Sequence, residues 1–257
     1  MKTIIAIWAV ITFQILFFPA QAQEGPDRLP LPSLTDAEYR GISEDSVQEI
    51  EINDSLLSPN VLRFCGQEVN LDPAYRQRKL RRELIALRRV SSALLQRSEF
   101  FFPFVEHILW EENVPDDFKY LMVVESGMNP SARSPVGALG LWQFMEGTAR
   151  EYGLIVNQKL DERLNIEKST RAACRLLKDA YDKFGDWVAV AQSYNIGQNR
   201  INNELKRQKV EDAIDLELVE ETNRYIYRIM AVKIIFTHPA NFGLTSPMPY
   251  YKKIRRN

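Results

Sequence analysis

The residues best suited to chemistry in this chain stand at Val123-Val124-Glu125-Ser126-Gly127-Met128-Asn129-Pro130, where one carboxylate ends an apolar run just before Gly127 and Pro130. Glu125 follows Leu121, Met122, Val123 and Val124. Burial among such side chains disfavours the ionised form, so this glutamate is expected to hold its proton to higher pH and to donate it near neutrality. A lone Glu-Ser pair would equally suit a helix-end glutamate facing water. Three further segments follow in order: Ser134-Pro135-Val136-Gly137-Ala138-Leu139-Gly140-Leu141-Trp142-Gln143-Phe144-Met145, then Ala191-Gln192-Ser193-Tyr194-Asn195-Ile196-Gly197, then Glu221-Thr222-Asn223-Arg224-Tyr225.

Together these four segments resemble the lytic transglycosylases with a goose-lysozyme-like catalytic domain, most closely the membrane-bound lytic transglycosylase D group, in which a Trp replaces the commoner Met before the motif glutamine. The resemblance covers roughly residues 75–237. It implies a mainly α, goose-type lysozyme-like fold acting on peptidoglycan glycan strands without a cofactor. It further implies Glu125 as the catalytic acid, Ser134, Gln143 and Met145 lining the sugar site, and Ser193 and Tyr194 closing the site beside the acid. Ser193 stands where the family more often has Ala, a small-for-small change. The D group usually carries a lipidated cysteine after its leader and C-terminal wall-binding repeats. Neither is visible here, so that mode of anchoring is not carried over.

Breaking a β-1,4 glycosidic bond needs a proton for the leaving oxygen and stabilisation of an oxocarbenium-like centre. A hydrolase normally adds a second carboxylate, about 5 Å away in retaining enzymes and farther in inverting ones. Glu146 and Glu221 are the candidates, and both also read as helix-terminal surface acids. The resemblance implies a single-acid site: the substrate acetamido group assists departure, and Glu125, now a base, takes the C6 hydroxyl proton of N-acetylmuramic acid to give a 1,6-anhydro ring. A goose-type lysozyme-like hydrolase and a catalytically silent wall-binding or assembly module are the alternatives. Gln143 offers an amide donor and acceptor to a sugar, and Tyr194 could hydrogen-bond Glu125 and orient it. Met145 suits core or cleft packing, and Trp142 suits the core and a sugar face equally.

The elements that must position these groups read as helices. Leu80, Leu84, Leu87 and Leu94 recur at spacings that predict one long amphipathic helix after Asp72-Pro73. Ser98 is expected to cap a second helix with Pro103 in its first turn. Pro115 opens a third that delivers Glu125 at its C-terminal end, where the helix dipole disfavours negative charge. The glycines of 134–147 predict a loop or short ribbon. A short helix over 148–152 follows. Ser169 and Asp186 are expected to cap two more helices, and a last one runs over about 221–236, with Tyr225, Ile229, Val232 and Phe236 near one face. No alternating strand pattern stands out, so the fold class is mainly α.

Residues 1–22 read as a secretory signal: Lys2, an apolar stretch over 4–18, and Ala20-Gln21-Ala22 as a cleavage site. That stretch falls short of the roughly 20 residues needed to span a bilayer. The expected divisions are 1–22 signal, 23–72 an extended segment broken by Pro26, Pro30, Pro32 and Pro59, 73–237 the catalytic domain, and 238–257 a tail. The stretch from Val61 to Leu71 carries apolar anchors for docking on the domain. With 33 Lys+Arg against 34 Asp+Glu, the near balance argues against nucleic acid as a partner. Arg76, Arg78, Lys79, Arg81, Arg82, Arg88 and Arg89 crowd one helix, and Lys252, Lys253, Arg255 and Arg256 form a basic tail. These suit solvated faces or weak contact with an anionic envelope surface. Export places the protein in the periplasm, where Cys65 and Cys174 could pair or stay free. His107 and His238 lack neighbours at ligand spacing, so no metal site is predicted.

Overall fold

The computed structural model describes residues 60–245. The expected signal, the first part of the extended segment and the basic tail beyond 245 lie outside the described residues. The first described element is a hairpin, β1 (Val61–Phe64) against β2 (Gln67–Asn70), in the register Phe64 opposite Gln67. The sequence reading expected no strands. The turn explains the miss: Cys65 and Gly66 both take positive φ, 53° and 80°, the pattern of a two-residue hairpin turn that Asn-Gly usually signals. The hairpin buries Phe64 and Val69. Phe64 meets Phe118 edge-on at 5.8 Å.

Eight helices follow: α1 (Ala74–Arg88), α2 (Ser91–Glu111), α3 (Phe118–Ser126), α4 (Glu146–Glu151), α5 (Ile166–Phe184), α6 (Trp187–Ile196), α7 (Gln198–Gln208) and α8 (Glu220–Thr237). The predicted single stripe from Leu80 to Leu94 is split between α1 and α2, because the chain turns at Arg89 and Val90. Helix α2 also starts a full two turns before Ser98. Pro103 lies inside it, between the exposed Phe100 and Phe104, where water can reach the carbonyl that proline leaves unpaired. Ser98 is buried and donates to the Leu95 carbonyl at 2.7 Å instead of capping. Likewise Asn165, not Ser169, caps α5 by accepting from the Lys168 amide at 2.9 Å. Asp186 does cap α6, accepting from Ala189 N at 2.8 Å.

One core joins these elements, with Trp142, Tyr225, Tyr227, Phe64 and Phe118 its largest fully buried side chains. Helix α3 is buried along its whole length, and α8 packs on α1, α3 and α6. A mainly α protein results, with the central α3 wrapped by its neighbours. Of the basic residues expected to form a solvated face on α1, Arg76 departs: it is buried and ion-paired to Asp212 and Asp215 at 2.9 and 2.6 Å. Among the described residues no helix is long and apolar enough to cross a membrane. Both Cys65 and Cys174 are free thiols.

Candidate active site

Gly127 ends α3 in the left-handed conformation, φ 56°, with its amide on the Val123 carbonyl at 2.8 Å. Only a residue tolerant of positive φ can stop a helix this abruptly. Glu125 is therefore held two residues before the turn, at 8% exposure. From α2, Arg97 donates to the Gly127 carbonyl at 3.0 Å and fixes that turn from outside.

The hydroxyl that meets Glu125 belongs to Tyr225 on α8, which donates to Oε1. Tyr194 was a candidate for that role from the sequence. Its hydroxyl instead donates to the Trp142 carbonyl at 2.8 Å, and its ring meets Phe144 edge-on at 6.4 Å. Both phenols are pushed well above the usual tyrosine value, chiefly by burial and next by the Glu125 carboxylate. They consequently stay protonated as donors. Tyr225 stood in the fourth segment and on the predicted inner face of its helix, but the rotation that aims it at Glu125 depends on packing.

The loop 132–144 is tied to Tyr194 through the Trp142 carbonyl. Leu139 bridges to Arg133 and to Phe144, and Ser134 closes the turn: its Oγ accepts from the Ala138 amide at 2.9 Å while its own amide donates back to Ala138 O. Gln143, at φ 49°, donates Nε2 to the Ala132 and Gly140 carbonyls at 2.9 and 2.8 Å. Its amide hydrogens thus staple the loop. Met145 is half-buried at the start of α4. Ser193 is buried and bonded to the Val190 carbonyl, so it acts as a small packing residue. Trp142 is fully buried, with Nε1 donating to Thr170 at 2.9 Å. The core reading holds for it and the sugar-stacking reading does not.

Arg163 was not singled out from the sequence, where only an adjacent acid hinted at it. It is buried, paired to Asp161 at 2.6 Å, and donates to the Gly137 and Phe144 carbonyls at 3.0 and 3.1 Å. The loop thereby rests on the turn Glu162–Leu164 so closely that a Cβ on Gly140 would lie 2.1 Å from the Arg163 carbonyl oxygen. The candidate second carboxylate Glu146 is exposed and paired to Arg150 at 2.7 Å, as suits a surface acid. The side chain of Glu221 lies outside the described set. Among the described residues, no cluster of His, Cys, Asp and Glu could hold a metal ion.

Residues 105–216 match the family model described as "Transglycosylase SLT domain". The membrane-bound lytic murein transglycosylase D of Escherichia coli (strain K12) is 30% identical over 156 residues, covering 59% of this chain and 34% of that protein. The peptidoglycan transglycosylase gp16 of Escherichia phage T7 is 40% identical over 81 residues, 31% of this chain and 6% of its own. An inactive mutant of the lytic transglycosylase Slt from Pseudomonas aeruginosa superposes with a TM-score of 0.45 at 18% identity, covering 68% of this chain and 33% of that one. The chain thus spans about a third of the length of the first relative.

Proposed function

We propose that this chain, which carries a transglycosylase SLT domain over residues 105–216, is a peptidoglycan lytic transglycosylase with Glu125 as its acid and base. It cleaves the β-1,4 bond between N-acetylmuramic acid and N-acetylglucosamine and leaves a 1,6-anhydro-N-acetylmuramic acid end. The observation that carries the assignment is the buried Glu125 at the end of α3, held by the Tyr225 hydroxyl.

In the first step Glu125 gives its proton to the glycosidic oxygen as the C1–O4 bond breaks, and the acetamido oxygen of the substrate bonds to C1. The carboxylate so formed is the state that the Tyr225 hydroxyl stabilises most, because a hydrogen bond to a charged acceptor is stronger than one to a neutral one. In the second step Glu125 takes the proton of the C6 hydroxyl, O6 bonds to C1 and the acetamido oxygen leaves. No water is consumed, which fits a site whose acid needs no carboxylate partner. Tyr194 and the loop 132–144 wall the sugar site, with Gln143 Oε1 as an acceptor for a sugar hydroxyl. The catalytic domain is read as 73–237, and residues 1–22 as an export signal that delivers the enzyme to the periplasm for murein turnover. Its partner is the glycan strand, with weak contact to anionic envelope surfaces through exposed arginines such as Arg78, Arg88 and Arg89.

The test is mass spectrometry of muropeptides released from purified peptidoglycan by the mature protein and by Glu125→Gln. Anhydro-muramyl ends from the first and none from the second are expected. Reducing ends would mean hydrolysis, and no release from either would leave a wall-binding module.

A further inference from the structure

On α1, outside the segment matched by the SLT family model, Glu83 is fully buried. Its Oε1 accepts from Arg224 Nε and its Oε2 from Arg228 Nε, both at 2.9 Å. These two arginines bracket Tyr225 on α8, one residue before it and three after. We infer that Glu83 is a positioning residue, whose fork to Arg224 and Arg228 sets the rotation and axial register of α8 so that the Tyr225 hydroxyl meets Glu125. The inference rests on the function proposed above for Glu125 and Tyr225.

The geometry supplies the reason. Arg224 and Arg228 are four residues apart and so share one face of α8, whereas Tyr225 points about 100° away from Arg224. A single carboxylate can satisfy both arginines in one arrangement only. Sliding α8 by a residue would leave a buried charge without its partner, so the triad selects one register even where apolar packing would tolerate several. The burial cost of the Glu83 charge is outweighed by Arg228 and Arg224, which hold its carboxyl below the usual glutamate range. The triad also reaches the site electrically, since the Arg228 charge acts on the Tyr225 phenol. Other groups that face the acid are Tyr194 from α6, with Cys174 of α5 behind it, and Arg97 from α2 through the Gly127 carbonyl.

Direct electrostatics and positioning are separated by a double-variant cycle read on Glu125 itself. The carboxyl carbon of Glu125 is titrated by 13C NMR in the full chain, with its signal assigned by loss in Glu125→Gln. Removing the hydroxyl with Tyr225→Phe is expected to shift the Glu125 midpoint upward by about 1–2 pH units. In a Glu83→Gln background the same substitution should shift it by less than half as much, because the hydroxyl is no longer held in place. Equal shifts in both backgrounds would overturn the inference, since a charge effect of Glu83→Gln persists without Tyr225. Where Glu83→Gln does not fold, Arg228→Lys, which keeps the charge and breaks the fork, replaces it in the cycle. The muropeptide assay is read separately. A coupled titration without anhydro release removes the function and leaves the positioning role, whereas anhydro release with uncoupled shifts removes the positioning role alone.

Discussion

Replacing Tyr225 by Phe deletes one oxygen from a fully packed site and leaves the ring in place. The lost contact is a hydrogen bond to a carboxylate, with Tyr225 at 2% and Glu125 at 8% exposure. Bonds to charged groups contribute about 1.5–3 kcal/mol net, and each 1.4 kcal/mol is a factor of ten in rate. Because the bond strengthens as Glu125 gives up its proton, most of this loss falls on the transition state. We expect kcat to fall about 10- to 150-fold with KM changed by less than twofold. The sign on pH is fixed by the same bond. The hydroxyl favours the ionised carboxylate, so removing it lets Glu125 keep its proton to higher pH. The alkaline limb of kcat/KM should therefore move upward by about 1–2 units. The assay is initial release of anhydro-muropeptides from purified sacculi between pH 4 and 9. Activity within twofold of wild type across that range, with an unmoved alkaline limb, would falsify the placement of Tyr225 as the partner of the acid.

The buried triad predicts an acid-sensitive fold: the Glu83 carboxyl is held low by Arg228 and Arg224, so its stabilisation is present above about pH 4.3, the ordinary glutamate value, and is lost as pH falls through the native value. Urea midpoints should drop below pH 4, and less steeply in Glu83→Gln than in wild type. Trp142→Phe should cost about 1–3 kcal/mol of stability, from the cavity and the lost hydrogen bond to the Thr170 hydroxyl, which keeps its own bond to the Ile166 carbonyl. If substrate KM rises tenfold at unchanged stability, Trp142 is a sugar platform after all. Gly140→Ala forces a methyl against the Arg163 carbonyl at positive φ and should destabilise by more than about 3 kcal/mol. An unaltered melting temperature would show that the loop does not rest on Arg163. Cys174 should not react with a maleimide at pH 7 before unfolding, since it is buried and its thiol is pushed up to about 12; prompt labelling of Cys174 would contradict that.

What the sequence disclosed and what it withheld divide along a physical line. Glycine stops, an aspartate cap and an apolar run are local signals, and they placed Glu125 at the end of α3 and Asp186 at the start of α6. Four motifs in a fixed order pointed to segments that meet in space. The chain-scale errors arose where local rules were overridden: the Leu94 stripe continued past a turn at Arg89 and Val90, and Pro103 was absorbed inside α2. The hairpin escaped notice because Cys-Gly is an unusual spelling of its turn.

The identity of the tyrosine beside Glu125 could not be read locally, for a reason the structure makes concrete. Tyr194 and Tyr225 both follow apolar helical patterns, and which hydroxyl reaches the acid depends on how each helix is rotated. For α8 that rotation is fixed by packing on α1 and by the fork from Glu83 to Arg224 and Arg228. Arg224 and Tyr225 share a motif, yet Glu83 lies some 140 residues upstream, beyond the reach of any periodicity. A catalytic unit cut at residue 105 would therefore keep every motif and lose the residue that aims one of them, so α1 belongs to the site as much as the helices that carry its hydroxyls.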